Sequence, residues 1–124
     1  MTDVVLKNID RKDGNFTIPE STYINVYLAG FLDDELIGHL HLQAHTDYAY
    51  VQIHWTMLTW NPTIARATKK AFYEQVIPIV KSLSGRLIVT INHNEVEKWA
   101  KLMKYIGFDI YDLEDGSKMI MMEV

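Results

Sequence analysis

Four of the five histidines gather in one stretch, at His39, His41, His45 and His54. Leu36, Gly38, Leu40, Leu42 and Ala44 alternate with Ile37, His39, His41, Gln43 and His45. Period two with one apolar face marks a half-buried strand from Leu36 to His45. Thr46-Asp47 can close a two-residue hairpin into a second strand, Tyr48 to Leu58. That register sets His45 opposite Tyr48, Gln43 opposite Tyr50, His41 opposite Gln52 and His39 opposite His54. Opposed residues share a face, so one side of the pair collects imidazoles, and the other carries Ala49, Val51, Ile53, Trp55 and Met57 as a core face. Two chemistries suit the imidazoles. An imidazole with a pKa near ~6.5 can deprotonate an amine at neutral pH. Alternate strand positions can also converge on zinc, although no carboxylate joins His39, His41 and His54. The third reading is a polar, partly solvated sheet face left uncovered by a short N-terminus.

A second cluster is basic. Arg66, Lys69 and Lys70 fall in the first two turns of a helix, where positive charge opposes the dipole by about 0.3–1 kcal/mol. Helical spacing puts them on one side, as an anion site or as a solvated basic face. Trp55, Trp60 and Trp99 read as core, with Trp60 the one placed for ligand contact; His45 and His93 read as loop-end residues. Ser21, Ser82, Ser84 and Ser117 lack a strand-to-helix nucleophile elbow. The chain has no cysteine, which excludes disulfides, thiolate zinc sites and a cysteine nucleophile.

The elements that must position these groups run from Tyr48 to Phe108. A break at Trp60-Asn61-Pro62 follows the strand. A helix with Thr63 as N-cap then runs to Leu83, its apolar stripe including Ile64, Phe72, Val76, Val80 and Leu83. Pro78 removes the hydrogen bond to the Glu74 carbonyl, so the helix should kink or begin a new segment there. Ser84-Gly85 stops it. Arg86 to Asn92 is a nearly all-apolar strand, and Asn94 to Tyr105 a second helix. Tyr23 to Phe31 precedes the histidine strands, Val4-Val5-Leu6 reads as a short strand, and Phe108 to Leu113 with Lys118 to Val124 form a last hairpin. A strand, a helical crossover and a parallel strand form a right-handed unit. The expected class is α/β (α+β): one mixed, mostly antiparallel sheet with a central parallel β-α-β crossover.

At 124 residues the chain reads as a single domain over 1–124, with a short N-terminal segment (1–21) and a fold core (22–124). No apolar run reaches the ~20 residues of a membrane span, and Met1 to Asn15 lacks a signal-peptide centre, so a cytoplasmic location is expected. The formal net charge of −4 disfavours nucleic acid. Residues 1–60 hold three basic against eight acidic side chains and residues 61–124 nine against eight, so an anion site belongs in the second half.

Two stretches carry a family likeness. Val26 to Leu40, reading VYLAGFLDDELIGHL, and Asn94 to Trp99 with Leu102, Ile106, Gly107 and Phe108 resemble the GNAT superfamily of N-acetyltransferases. The likeness covers about residues 22–124, and the short, helix-poor N-terminus is similar to small GNAT-like proteins of tailed phages. The resemblance implies an acyl-CoA-dependent N-acyltransferase that passes an acetyl group from acetyl-CoA directly to an amine. The acceptor would be a small molecule or a protein lysine or N-terminus. The pantetheine arm would lie between two diverging strands, against Met57, Leu58 and Thr59, with Trp60, Arg66, Lys69, Lys70 and Asn94 as further coenzyme contacts. His54 is the candidate base, flanked by His39 and His41; no metal and no membrane contact is expected.

The sequence departs from the family at three points. The segment Thr59-Trp60-Asn61-Pro62-Thr63-Ile64-Ala65 has no glycine where the coenzyme diphosphate approaches backbone, and its proline removes a donor. Met103 stands where a tyrosine often serves as acid, and Tyr105 lies about 200° around the helix from it. Asn94 lies slightly too far before Gly107. The alternative function is therefore a GNAT-like interaction or virion-associated protein that no longer binds coenzyme A, in the host cytoplasm or the virion; assembly as a homo-oligomer stays open. Both readings need residues 55–60 and 86–92 to be neighbours that diverge before Pro62.

Overall fold

A computed structural model describes residues 3–14, 16, 24–45, 49–59, 61–92 and 96–124, with backbone alone at 91, 92 and 96–99. The chain order is β1 (Val4–Asn8), a 3-10 turn (Arg11–Asp13), β2 (Ile24–Leu32), β3 (Glu35–His45) and β4 (Tyr50–Met57). There follow α1 (Pro62–Ala71), a π-helical turn (Phe72–Val76), α2 (Ile77–Ser82), β5 (Leu87–Asn92), α3 (Val96–Ile106), β6 (Asp109–Asp112) and β7 (Lys118–Glu123). Among the described residues seven strands form one mixed sheet in the order β1-β2-β3-β4-β5-β7-β6, and only β4 and β5 pair in parallel. This is the expected class, with the crossover α1–α2 bridging the parallel pair.

Alternation explains which face is covered. Val51, Ile53 and Trp55 of β4 lie beside Ala44, Leu42 and Leu40 of β3. With Leu28, Ile88 and Ile120 they pack under Phe72, Val76 and Val80 of the crossover and Leu102, Met103 and Ile106 of α3. Burying each such large apolar side chain contributes about 1.5–3 kcal/mol, which makes this face the main stabilising layer. The β2–β3 turn places Asp33 at φ 52° and Asp34 at φ 64°, left-handed conformations that the short polar aspartate tolerates better than most residues.

Several sequence expectations need correction. The strand pairing after His45 is shifted by two residues: His45 faces Tyr50, Gln43 faces Gln52, His41 faces His54 and His39 faces Thr56. The connection is longer than a two-residue turn because Thr-Asp has no strong preference for tight hairpin geometry and Ala49, at φ 53°, sits outside the strand. Residues 46–48, the proposed hairpin turn and Tyr48 among them, lie outside the described residues. Ile37 does not share the histidine face. The β2–β3 register shifts at Gly30/Phe31, so Ile37 becomes the bulged residue and joins Val4, Ile64, Ala67 and Ala71 on the helix side.

The long helix is three segments. Pro78 begins a new one, as its missing N–H requires, and the π turn just before it widens the helix. The N-cap is Asn61 rather than Thr63: Asn61 Oδ1 accepts from the Ile64 N–H at 2.9 Å, with Pro62 at the first helical position. Proline is preferred there because its φ is already helical and the N–H it lacks would have no partner inside the helix.

Candidate active site

The feature that could hold an extended ligand is a gap between β4 and β5. Their parallel ladder has three rungs, Tyr50–Leu87, Val51–Ile88 and Gln52–Val89. Beyond Gln52, β4 stays paired to β3 as far as Met57–Gly38, and β5 stays paired to β7 as far as Asn92–Lys118. Each strand thus keeps its outer neighbour while the two part from each other. The Leu58 N–H donates to the Ile37 carbonyl at 2.9 Å, so Leu58 turns its peptide toward β3. Alternation then turns the peptide groups of Trp55 and Met57 toward the gap. Of the backbone positions expected to meet a pantetheine arm, Met57 has this orientation and Leu58 does not; Thr59 lies just past the strand end.

His54 sits two residues past the last rung, on the sheet face opposite the helices. It is opposed by His41, with ring centroids 5.9 Å apart. The β3 half of this face is covered, with His41 1% exposed, Gln43 4% and His39 8%, while Gln52, His54 and Thr56 of β4 stay partly exposed, as the reading of a partly solvated face expects. The cover comes from the N-terminal segment. Phe16 packs edge-on against Tyr27, His39 and His41, with centroids at 4.9, 5.4 and 5.9 Å. The Arg11 guanidinium donates to the Tyr27 hydroxyl at 3.1 Å. Asn25 Oδ1 takes a hydrogen bond from Gln43 Nε2 at 3.4 Å and lies 3.0 Å from His41 Nε2. An acceptor at that position calls for the His41 tautomer protonated on Nε2. Asn25 had no sequence signal; only the register across β2 and β3 brings it to the imidazoles.

Among the described residues, His39 Nδ1 and His54 Nε2 are buried with no hydrogen-bond partner. Burial lowers the pKa of both imidazoles below the ordinary histidine value, because the cationic form loses its hydration. The shift favours the neutral form of each, the form in which imidazole nitrogen accepts a proton. No three His, Cys, Asp or Glu side chains among the described residues are grouped to hold a metal ion.

The basic cluster does not converge. Lys70 Nζ pairs with Asp3 Oδ1 at 2.9 Å, and that hydrogen bond raises the lysine pKa. Lys69 Nζ lies over the Tyr105 ring, 4.7 Å from its centroid. Arg66 is exposed, and no carboxylate among the described residues pairs with it. Trp60, His93 and Asn94 lie outside the described residues, as does the side chain of Trp99. Trp55 packs partly buried against the core.

No family model and no curated protein matches the chain. Solved structures do. The GNAT domain of S. lividans PAT superposes with a TM-score of 0.64 at 14% identity, over 81% of this chain and 61% of that one. The PaiA N-acetyltransferase from Thermoplasma acidophilum, solved in complex with coenzyme A, gives 0.62 at 14% identity over 79% and 60%. The fold is GNAT-like. A domain from Methanocaldococcus jannaschii matches over the whole of both chains, with a TM-score of 0.69 at 12% identity. The present chain thus spans about 60% of the two named acetyltransferase chains and all of the archaeal domain.

Within this GNAT-like frame, coenzyme A fits one half of the site and not the other. The diverging strands suit an arm whose amides pair with backbone. The start of α1 does not suit a diphosphate. Pro62 has no N–H, the Ile64 N–H is taken by Asn61 Oδ1, and the Ala65 N–H is bonded to the Asn61 carbonyl at 3.0 Å. Thr63 is left as the one early donor of the helix, whereas anion binding at a helix start relies on several converging N–H groups. Met103, at the GNAT position for a tyrosine acid, is fully buried in the core. Tyr73, which the sequence did not single out, reaches the end of α3 but donates its hydroxyl to the Ile106 carbonyl at 2.6 Å.

Proposed function

We propose that the chain is a GNAT-type N-acyltransferase that acylates an amine from a thioester such as acetyl-CoA. The observation that carries this reading is the parting of β4 and β5 after Gln52 and Val89, with His54 beside the opening. When bound, the thioester supplies an acyl carbon activated toward nucleophiles. His54 is the proposed base, its neutral imidazole accepting the amine proton. His39 and His41 line the same face, where Phe16 helps to exclude water. Met57 and Thr59 are proposed to pair with the arm through backbone groups. No side chain described near the gap is assigned as the acid for the departing thiolate.

A second reading is a GNAT-like interaction or virion-associated protein that binds no coenzyme. It is favoured by one observation, the capped start of α1. Thermal-shift titration of the full chain with acetyl-CoA separates the two. Ligand at about 100 times its dissociation constant adds ~2.7 kcal/mol of stability. No shift at millimolar coenzyme would leave the interaction reading standing.

A further inference from the structure

We propose that the β4–β5 gap takes its thioester by the pantetheine arm alone, so that the nucleotide half of coenzyme A contributes nothing to binding. The ligand class is then an acyl-pantetheine thioester, with or without a nucleotide attached. This inference rests on the acyl-transfer reading and narrows its donor.

Three observations carry it. First, the start of α1 has almost no donor to offer: Pro62 lacks one, and those of Ile64 and Ala65 are bonded to Asn61. Second, cations that could compensate are drawn elsewhere. Lys70 is held by Asp3 on the β1 side, and Lys69 lies over Tyr105 on the α3 side. Arg66 alone remains on the first two turns, a single monodentate or bidentate contact without a backbone cradle. Third, the recognition surface that is present is strand-like. Met57 directs its peptide into the gap while Leu58 is bonded to Ile37. Such an edge recognises the amides of an extended arm by main-chain hydrogen bonds, the mode by which an added strand binds a sheet edge. Binding strength should therefore follow the arm and be indifferent to the phosphates.

The test is calorimetry on the full chain with coenzyme A, with pantetheine and with the isolated nucleotide half of the coenzyme, a phosphorylated ADP. The expected result is dissociation constants for coenzyme A and pantetheine within about fivefold of each other, and no heat from the nucleotide. Coenzyme A binding more than about fivefold tighter than pantetheine, or displacement of pantetheine by the nucleotide, overturns the proposal and leaves the acyl-transfer reading intact. Failure of both coenzyme A and pantetheine to bind overturns the two together. A double variant, Asn61→Gly with Pro62→Ala, restores two donors at the helix start. It should tighten coenzyme A by about tenfold and leave pantetheine unchanged. An unchanged coenzyme A affinity in a folded variant would show that the helix start is not what the site lacks. Should the variant not fold, the wild-type comparison still decides.

Discussion

The Tyr73 hydroxyl donates to the Ile106 carbonyl at 2.6 Å, tying the π turn of the crossover to the last turn of α3. The end of a helix leaves carbonyls without intrahelical partners, and this bond satisfies one of them. Tyr73→Phe removes the donor and keeps the ring against Phe72. The expected loss is about 0.5–1.5 kcal/mol, read as a lower urea midpoint with an unchanged slope.

Gly38 faces Met57 at the edge of the bulge, and a Cβ there would lie 2.6 Å from the Thr56 carbonyl oxygen. Backbone in a sheet cannot withdraw as a side-chain tip can. Gly38→Ala is expected to cost about 1–3 kcal/mol, measured by chemical denaturation.

Thr68 on α1 is buried, and its Oγ1 has no hydrogen-bond partner among the described residues. Thr68→Val keeps the shape and removes a desolvated hydroxyl. A gain of about 1 kcal/mol and a melting temperature higher by a few degrees are expected. An unchanged or lower melting temperature would mean that the hydroxyl is satisfied in solution.

Stability should depend on pH through His39 and His54, whose pKa values burial lowers in the folded chain. In the unfolded chain both titrate near ~6.5. As pH falls through that value the unfolded chain takes up protons that the folded chain refuses, so stability falls; above it the two states bind equally few protons and this contribution is flat. The unfolding midpoint should therefore drop between about pH 6.5 and 5, and His39→Asn should reduce the drop. A wild-type midpoint that is level over that range would remove the argument for buried neutral imidazoles.

If the chain acylates amines, His54→Gln should lower the rate by about 10²-fold or more, with binding of the thioester little changed. The rate of the parent protein should rise with pH through an inflection below the ordinary histidine value, and the variant should lose it. Full activity in the variant would remove His54 as the base.

The sheet was legible in the sequence because period two fixes which side chains share a face. A slip of two residues, like the one between β3 and β4, preserves that parity, so alternation puts His39, His41, Gln43 and His45 on the correct face even though it pairs them with the wrong partners. The cap was legible in principle. Asn61 and Thr63 are both cap formers, and Pro62 between them decides for asparagine, since proline is favoured just inside a helix. The bulge at Ile37 had no local signal, because strict alternation continues through it. The cover over the imidazoles was not legible either. It depends on Phe16 meeting His39 and His41 across a separation in sequence that no periodicity reports.

Three rungs hold β4 to β5, while the flanking ladders are longer. Hydrogen bonding therefore divides the sheet into a four-strand wing and a three-strand wing that meet along a narrow seam, with the helices packed across it as a splint. Loosen the splint, and the seam is where the molecule should first come apart, exposing two fresh strand edges at once. The same parting that makes room for a ligand makes this line the fold's most vulnerable point for self-association.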